Sequence, residues 1–405
     1  PVMVIAGPGT GKTEVLAVRI ANILDKTDTP AHQILCLTFT RSGVSAMKKR
    51  LESYIGDRAR EVEVNTFHSF AQNLVQKHYE LLDFETLPEL LDEKGAVLLC
   101  DEILHAHDWE YLRPRSNSAT YFRDIKSLIS LLKRERLSPA TFLEIVEKEI
   151  ETLTNDPDSI SSRGESKGNL KKEIVTKIES LARTKEVVKF YTIYEKEKRD
   201  RALMDYDDVL MYAVELVENF DDVRADIYEQ YLYVLVDEHQ DSSGVQNAFL
   251  RGVWGEQEKP NIFVVGDDRQ LIYGFGGASL EYFEDFKTAF GRAQLITLVQ
   301  NYRSTAPILT LADTLLASSL TKEKLQSNRK GDDMIGLYEY QYLRDEIIAA
   351  GLYFKKLLAQ GVAPEELAIL VPKNHQVRSA IATLRDVGLP VSIGGALSLF
   401  ATREY

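Results

Sequence analysis

A glycine-rich stretch close to the start of the chain, AGPGTGKTEVL at residues 6–16, constrains the fold more than any other segment. A short apolar run at residues 2–5 precedes it, and the following TEVLAVRIANIL has apolar residues at helical spacing. Between a strand and a helix, glycines let several backbone N–H groups point at one anion, and the helix start adds partial positive charge. The stretch therefore predicts a phosphate-binding loop.

Two side chains make this loop typical of a nucleotide site. Lys12 can reach the β- and γ-phosphates, and the Thr13 hydroxyl can ligate Mg²⁺. The strict pattern has glycine where this chain has Ala6. A strand-to-helix turn without a ligand is the alternative, and the presence of both Lys12 and Thr13 disfavours it. The loop residues predicted to bind the nucleotide are Ala6, Gly7, Pro8, Gly9, Thr10, Gly11, Lys12 and Thr13.

Length and composition narrow the class of protein. The chain has 405 residues, more than a single hydrophobic core accommodates, so we expect two or three domains. The net charge of −13 argues against extensive coating of nucleic acid but is compatible with a local basic or stacking track. No apolar stretch approaches the ~18 residues of a membrane span. Cys36 and Cys100 show no pairing pattern, which favours a reduced, cytoplasmic setting over a secreted one.

Hydrophobic periodicity divides the chain into segments. Strand and helix patterns alternate over residues 1–77, helical patterns alone occupy 78–204, and strand patterns return over 205–294. A third series over 295–405 includes two strand-like runs, IGLYEYQ and ELAILVP. These patterns predict an α/β protein whose first domain, a parallel sheet, is interrupted by an all-α insert at 78–204 and followed by a second, incomplete α/β domain at 295–405.

A second part of the nucleotide site is predicted from YLYVLVDEHQD, an apolar strand at residues 231–241 that ends in acidic residues. Asp237 can hold Mg²⁺ through water, and Glu238 can polarise the attacking water. Acids at a strand end are common, but together with the phosphate loop they indicate a nucleotide-hydrolysing site. The next apolar strand ends in VVGDDRQ, in which the Gln270 amide could sense the γ-phosphate or the attacking water.

Two aromatic residues, Tyr273 and Phe275, follow within the glycine-rich segment YGFGGA. Exposed rings on such a loop can stack on nucleic-acid bases, whereas rings packed in the core would have no such role. The residues alone leave both interpretations open and favour the core.

Other polar clusters favour structural interpretations. Cys100, Asp101, His105 and His107 could suggest a zinc site, but their spacing does not place them together on one helix face. The charged runs LLKRERL at residues 131–137 and EKEKRDR at 195–201 are interpreted as solvated helix faces, with contact between the basic runs and duplex DNA as the alternative.

Seven segments in order resemble the UvrD/Rep/PcrA-type superfamily 1 DNA helicases. The resemblance covers nearly the whole chain, and the helical insert lies where that family has its first accessory domain. It implies two RecA-like domains with ATP and Mg²⁺ in the cleft between them, and an ATP-driven motor in DNA repair. The motor would move 3′ to 5′ on single-stranded DNA and at its junctions with duplex DNA. The segments are AGPGTGKT, LTFTRSGVSAMKKR, NTFHSF, DYDDVL, LVDEHQD, VGDDRQLIYGFGGA and LVQNYRS.

The resemblance assigns roles to single residues. Lys12 and Thr13 match the phosphate loop, Asp237 and Glu238 the Mg²⁺-binding and catalytic acids, and Gln270 the glutamine that couples the γ-phosphate to DNA. Arg303 matches an arginine that reaches the γ-phosphate from the second domain, and Tyr302 a residue that stacks near adenine. The positions that match DNA-facing residues are Phe39, Thr40, Thr66, Phe67, His68, Tyr273 and Phe275.

Some positions depart from the family. Arg41-Ser42 replaces the usual Asn-Lys, Gly276 replaces an arginine, and His239 stands where an aromatic residue is common. Because family motifs would lie before Pro1 and after Tyr405, we expect the chain to be a piece of a longer protein. The alternative function is a nucleic-acid-sensing ATPase subunit that signals to a partner, such as a nuclease, without processive unwinding.

Overall fold

The computed structural model describes residues 1–112, 118–161, 168–271, 278–291, 293–316, 323–331 and 335–392. The chain forms two compact units, residues 1–333 and residues 334–405. Within the described ranges, no helix is long and apolar enough to cross a membrane.

A parallel sheet dominates the first unit. Six of its strands are hydrogen-bonded in the order β3-β2-β6-β7-β1-β8, and every neighbouring pair is parallel. This confirms the predicted α/β class. The strands in the described part of the chain are β1 (Val2–Ala6), β2 (Ile34–Thr38), β3 (Glu63–Thr66), β4 (Glu89–Leu90), β5 (Leu203–Met204), β6 (Tyr233–Val236), β7 (Ile262–Gly266), β8 (Gln294–Leu298), β9 (Gln300–Thr305) and β10 (Gln326–Arg329).

Helices cover both faces of the sheet, which explains why its strands β1, β2, β6 and β7 are nearly continuous apolar runs. One core includes Leu74, Leu216 and Phe249 of α3, α8 and α10, and the other includes Leu16 and Met47 of α1 and α2. The helices are α1 (Lys12–Lys26), α2 (Arg41–Ile55), α3 (Phe67–His78), α4 (Glu93–Ala106), α5 (Ser118–Arg134), α6 (Pro139–Asn155), α7 (Lys172–Asp200), α8 (Tyr206–Asn219), α9 (Asp221–Gln230), α10 (Gly244–Trp254), α11 (Leu280–Ala289), α12 (Ala306–Leu315), α13 (Leu343–Ala359) and α14 (Asn374–Asp386).

The predicted helical insert has a core of its own. Leu99, Ile103, Ile129 and Phe190 on helices α4, α5 and α7 pack together, separately from the sheet. A short parallel pair, β4 with β5, also lies within the range 78–204. The sequence pattern predicts only helices there, because two residues are too few to show the alternation of a strand.

The second unit differs from the sequence prediction. Residues 335–340 and 367–371, where IGLYEYQ and ELAILVP predict strands, form no strand in the described structure. Leu337 is 98% exposed and Leu370 94% exposed. Alternating apolar residues favour a strand, but a strand also needs a neighbour to satisfy its backbone groups. Helices α13 and α14 instead pack through a small core.

A buried ion cluster joins the insert to helix α8. It consists of Lys133 on α5, Glu195 and Lys198 on α7, and Asp205 and Asp208 at the start of α8. Lys133 Nζ lies 2.8 Å from Asp205 and 2.8 Å from Glu195, while Lys198 Nζ lies 3.0 Å from Asp205 and 2.9 Å from Glu195. Both lysines are buried, so the interpretation of their charged runs as solvated faces is wrong at these positions.

The two lysines and backbone hydrogen bonds stabilise the charge of Asp205 within the cluster. The Asp205 carboxylate also accepts hydrogen bonds from the backbone N–H groups of Asp207 and Asp208, each at 3.0 Å, and thereby caps helix α8. Burial raises the pKa of Asp205, but Lys133 and Lys198 outweigh it and hold that pKa well below its usual range.

Breaking the cluster should destabilise the fold. Lys198→Met leaves three carboxylates facing one ammonium group, and breaking a buried pair in this way costs about 3–5 kcal/mol. We expect that loss in the free energy of unfolding, measured with denaturant. Lys196→Met is the matched control, because Lys196 is 72% exposed and its ion pair with Asp200 is on the surface. Equal stability of the two variants would contradict the buried role.

Candidate active site and nucleic-acid interface

The predicted phosphate loop is a tight turn between β1 and α1. Gly9 and Gly11 have φ angles of +74° and +91°, which glycine adopts readily. The Thr10 hydroxyl donates a hydrogen bond of 2.7 Å to the Gly7 carbonyl oxygen. A Cβ atom on Gly9 would lie 2.6 Å from the Cβ atom of Arg303, so this position excludes a side chain.

The loop is next to the ends of strands β6 and β7. Lys12 Nζ lies 3.0 Å from Glu238 Oε2 and donates a 3.0 Å hydrogen bond to Gln270 Oε1, although Lys12 and Gln270 are 258 residues apart in sequence. The Thr13 hydroxyl donates a 3.3 Å hydrogen bond to Asp237 Oδ2. The structure thus brings together the predicted nucleotide-site side chains, which follow three separate strands in the sequence.

The acids of the site are strongly affected by burial. Burial, followed by the charge of Glu238, raises the pKa of Asp237 to about 6. Burial also raises the pKa values of Asp241 and Asp267 to about 6, while Lys12 lowers both. Among the described atoms, Asp241 Oδ1 and Asp267 Oδ2 have no hydrogen-bond partner. Hard oxygen ligands of this kind suit Mg²⁺, which Thr13 and Asp237 could hold.

Gln240 is a site residue that the sequence prediction missed. It is buried, its Nε2 donates a 2.9 Å hydrogen bond to Glu238 Oε2, and its Oε1 accepts one of 2.9 Å from the Asp267 N–H. Glu238 itself has a φ of +50°, a left-handed backbone that is costly for a residue with a side chain. Gln240 therefore fixes the orientation of the proposed catalytic acid. The only sequence indication was its place in DEHQD.

Strand β9 lies against the phosphate loop. The Tyr302 N–H donates a 2.9 Å hydrogen bond to the Gly9 carbonyl oxygen, while the Tyr302 ring is exposed. Arg303 follows on the same strand and is also exposed. The backbone of the segment QNYRS is thus beside the loop, as expected if Arg303 acts on a bound phosphate.

The predicted DNA-facing residues differ in burial and in their contacts. Thr40 and Thr66 cap helices α2 and α3 by accepting hydrogen bonds from the backbone N–H groups of Gly43 and Ser69, at 3.0 and 3.1 Å. The Phe39 ring is partly exposed, whereas the Phe67 ring is buried in the core. Tyr273 and Phe275 lie outside the described residues, so their DNA contacts stay a prediction.

A stacked aromatic pair, of which only one ring is exposed, lies beside these caps. The ring of His68 stacks on the ring of Tyr206, with centroids 3.9 Å apart and planes at 12°. Burial, followed by the charge of Arg134, lowers the pKa of His68 to about 4, so its ring is neutral at physiological pH. Tyr206 is 56% exposed. The sequence prediction missed Tyr206, although it lies in the segment DYDDVL.

Two family models match the chain. Residues 1–291 match the UvrD/REP helicase N-terminal domain, and residues 296–405 match the UvrD-like helicase C-terminal domain. The chain belongs to the UvrD/Rep helicase family. This confirms the resemblance found in the sequence.

Relatives in the UvrD/Rep family cover the whole chain at low identity. The ATP-dependent DNA helicases PcrA of Staphylococcus epidermidis RP62A and of Staphylococcus aureus Mu50 are each 26% identical to it, over 406 and 411 residues. In each case the match includes 100% of this chain and 50% of the relative. The chain therefore spans about half the length of these curated relatives.

One departure from the UvrD/Rep pattern has a structural explanation. His239 is buried, and its ring lies 6.0 and 5.4 Å from the rings of Phe283 and Phe286. Burial lowers the pKa of His239 to about 4, so a neutral imidazole occupies the position where an aromatic residue is common.

The suggested zinc cluster is not formed, because Cys100 is buried whereas His105 and His107 are exposed.

The pKa of Asp267 predicts an unusual pH dependence. Its folded-state pKa of about 6 lies above the ordinary 3.8, so the fold loses stability as the pH rises between these two values, and the full loss is present above pH 6. Asp267→Asn should therefore increase the free energy of unfolding at pH 7.5 by about 1–3 kcal/mol, and this gain should vanish near pH 4. Denaturant titrations at both pH values measure it.

Asp28→Asn is the control, because Asp28 is exposed in a loop. It should change stability little at either pH. A gain for Asp267→Asn that is the same at pH 7.5 and pH 4 would show that burial of the carboxylate is not its cause.

Proposed function

We propose that this chain is the motor region of an ATP-dependent DNA helicase that moves 3′ to 5′ along single-stranded DNA. The observation that carries the proposal is the convergence of five side chains at neighbouring strand ends. Lys12 contacts Glu238 and Gln270, and Thr13 contacts Asp237. Membership of the UvrD/Rep family and the printed names of the PcrA relatives support it.

In the proposed reaction, Lys12 and the loop N–H groups bind the β- and γ-phosphates of ATP. Thr13 and Asp237 would hold Mg²⁺, which would supply positive charge to the phosphate oxygens. Glu238, oriented by Gln240, accepts a proton from the water that attacks the γ-phosphorus while the bond to the ADP oxygen breaks. Arg303 stabilises charge on the transferring phosphoryl group, and Gln270 couples that group to DNA.

We propose the domain organisation that the sequence suggests. Residues 1–77 and 205–294 form the first RecA-like domain, residues 78–204 the accessory insert, and residues 295–405 part of the second RecA-like domain. The proposed boundary between residues 294 and 295 lies within strand β8, which pairs with β1 at the edge of the first sheet. Cleft closure by ATP and opening after hydrolysis would move stacked bases along the motor.

The first test concerns Lys12. Lys12→Ala removes the ammonium group that contacts Glu238 and Gln270, and loss of one preorganised donor to a developing charge lowers kcat by at least about 100-fold. We expect this loss in steady-state ATP hydrolysis, with an unchanged circular dichroism spectrum. Lys26→Ala, at the exposed end of the same helix, is the control and should hydrolyse ATP normally. Wild-type turnover by Lys12→Ala would refute the proposed site.

The second test concerns the aromatic pair of His68 and Tyr206. A base stacked on Tyr206 would contribute about 1–3 kcal/mol, so Tyr206→Ala should weaken binding of a fluorescent oligothymidylate by that amount. Tyr206→Phe keeps the ring and should bind almost as tightly as wild type. Equal affinity of the Ala variant and wild type, with both proteins folded, would exclude Tyr206 from the DNA track.

The second candidate function is an ATPase that senses nucleic acid and signals to a partner without processive unwinding. Gly276, in place of the family arginine, supports this candidate, because the substitution removes a side chain from the segment that contains Tyr273 and Phe275. Strand displacement separates the two candidates. A helicase displaces the strand of a duplex with a 3′ overhang in the presence of ATP, whereas a sensor hydrolyses ATP on single strands and leaves the duplex intact.

A further inference from the structure

Asn301 is fully buried on strand β9, although Gln300 and Tyr302 on either side of it are exposed. Its side-chain Nδ2 donates a hydrogen bond to the carbonyl oxygen of Pro8 in the phosphate loop. Its Oδ1 accepts hydrogen bonds from the backbone N–H groups of Arg303 at 2.9 Å and Ser304 at 2.7 Å. A single amide therefore connects the phosphate loop to the backbone of the proposed catalytic arginine.

An amide is the side chain that this position requires. The donor and acceptor of Asn301 bind different partners. The NH₂ group donates to the Pro8 carbonyl of the loop, and the oxygen accepts from the backbone N–H groups at Arg303 and Ser304. A carboxylate could accept the hydrogen bonds from the backbone N–H groups of Arg303 and Ser304 but could not donate one to Pro8. An aliphatic side chain could form none of these bonds. The approach is close, because a Cβ atom on Gly9 would lie 2.9 Å from Asn301 Nδ2 and 2.6 Å from the Cβ atom of Arg303.

We propose that Asn301 is a positioning residue for the proposed ATP hydrolysis. It fixes the Arg303 backbone relative to the phosphate loop, so that the guanidinium group meets the transferring phosphoryl group without further reorganisation. Because an arginine in this role stabilises the transition state more than bound ATP, Asn301 affects kcat rather than KM. The inference rests on the proposed function.

Two substitutions separate the functions of the amide. Asn301→Leu, similar in size, loses all three hydrogen bonds, whereas Asn301→Asp keeps the two accepted from Arg303 and Ser304 and loses only the bond to Pro8. Asn247→Asp is the control for placing a carboxylate at a buried asparagine. Asn247 is also buried, and its amide donates a 2.9 Å hydrogen bond to the Ser243 carbonyl oxygen on helix α10.

Steady-state ATP hydrolysis with single-stranded DNA present gives kcat and KM for each variant. A displacement of about 1 Å can cost about 100-fold in rate, so we expect Asn301→Leu to lower kcat by about 10- to 100-fold with KM changed less than about threefold. Asn301→Asp should lose less, and Asn247→Asp should hydrolyse ATP at close to the wild-type rate. If Asn301→Leu does not fold, Asn301→Asp carries the comparison.

A double-variant cycle then separates positioning from a structural role. If Asn301 acts through Arg303, substituting it in an Arg303→Ala background should lower kcat no further. Overturning results are wild-type kcat in both Asn301 variants, a change in KM alone, or an equal loss of kcat with and without Arg303. If wild-type protein does not hydrolyse ATP, the proposed function fails and the inference fails with it. If only the Asn301 variants match wild type, the inference alone fails.

Discussion

The nucleotide site depends on the contacts and the charge of the Lys12 ammonium group. It contacts Glu238 and Gln270 directly, and its charge lowers the pKa values of Asp237, Asp241 and Asp267, which burial raises. Together these acids carry more charge than one lysine balances. These acids therefore attract a cation. The neighbouring phosphate loop attracts an anion instead, because its N–H groups and the start of α1 carry partial positive charge. The proposed Mg²⁺ ion and ATP phosphates would together satisfy both the acids and the loop.

Parallel topology explains how residues so distant in sequence meet. In an open parallel sheet the carboxyl ends of the strands lie on one edge, and loops that leave this edge share a site. Strands β1, β6 and β7 are neighbours in the sheet, so the segments that follow them converge. The helical insert between β3 and β6 lengthens the chain without disturbing this pairing, because its core is separate from those of the sheet.

Sequence alone predicted the parts of the site that have local patterns. The phosphate loop, Asp237, Glu238 and Gln270 each follow an apolar strand, and the sheet then brings them together. Gln240, Asn301 and Tyr206 were missed as site residues, because their roles arise from tertiary contacts that no local pattern encodes. Lys133 and Lys198 were misjudged for the same reason: charged runs usually face solvent, and only the structure reveals their carboxylate partners. The predicted strands at 335–341 and 366–372 failed because alternation cannot supply a pairing partner.

The segment DYDDVL has a mechanical consequence. Asp205 and Asp208 are held by lysines of the insert, and Tyr206, between them in sequence, presents its ring to solvent beside His68. Asp205 caps α8, and Tyr206 and Asp208 lie in its first turn, where a capping box satisfies backbone N–H groups. The lysines of the insert therefore contact the same helix start that carries the exposed ring. A displacement of the insert would act directly on the position of the Tyr206 ring, because no further segment of chain separates that residue from the ion cluster.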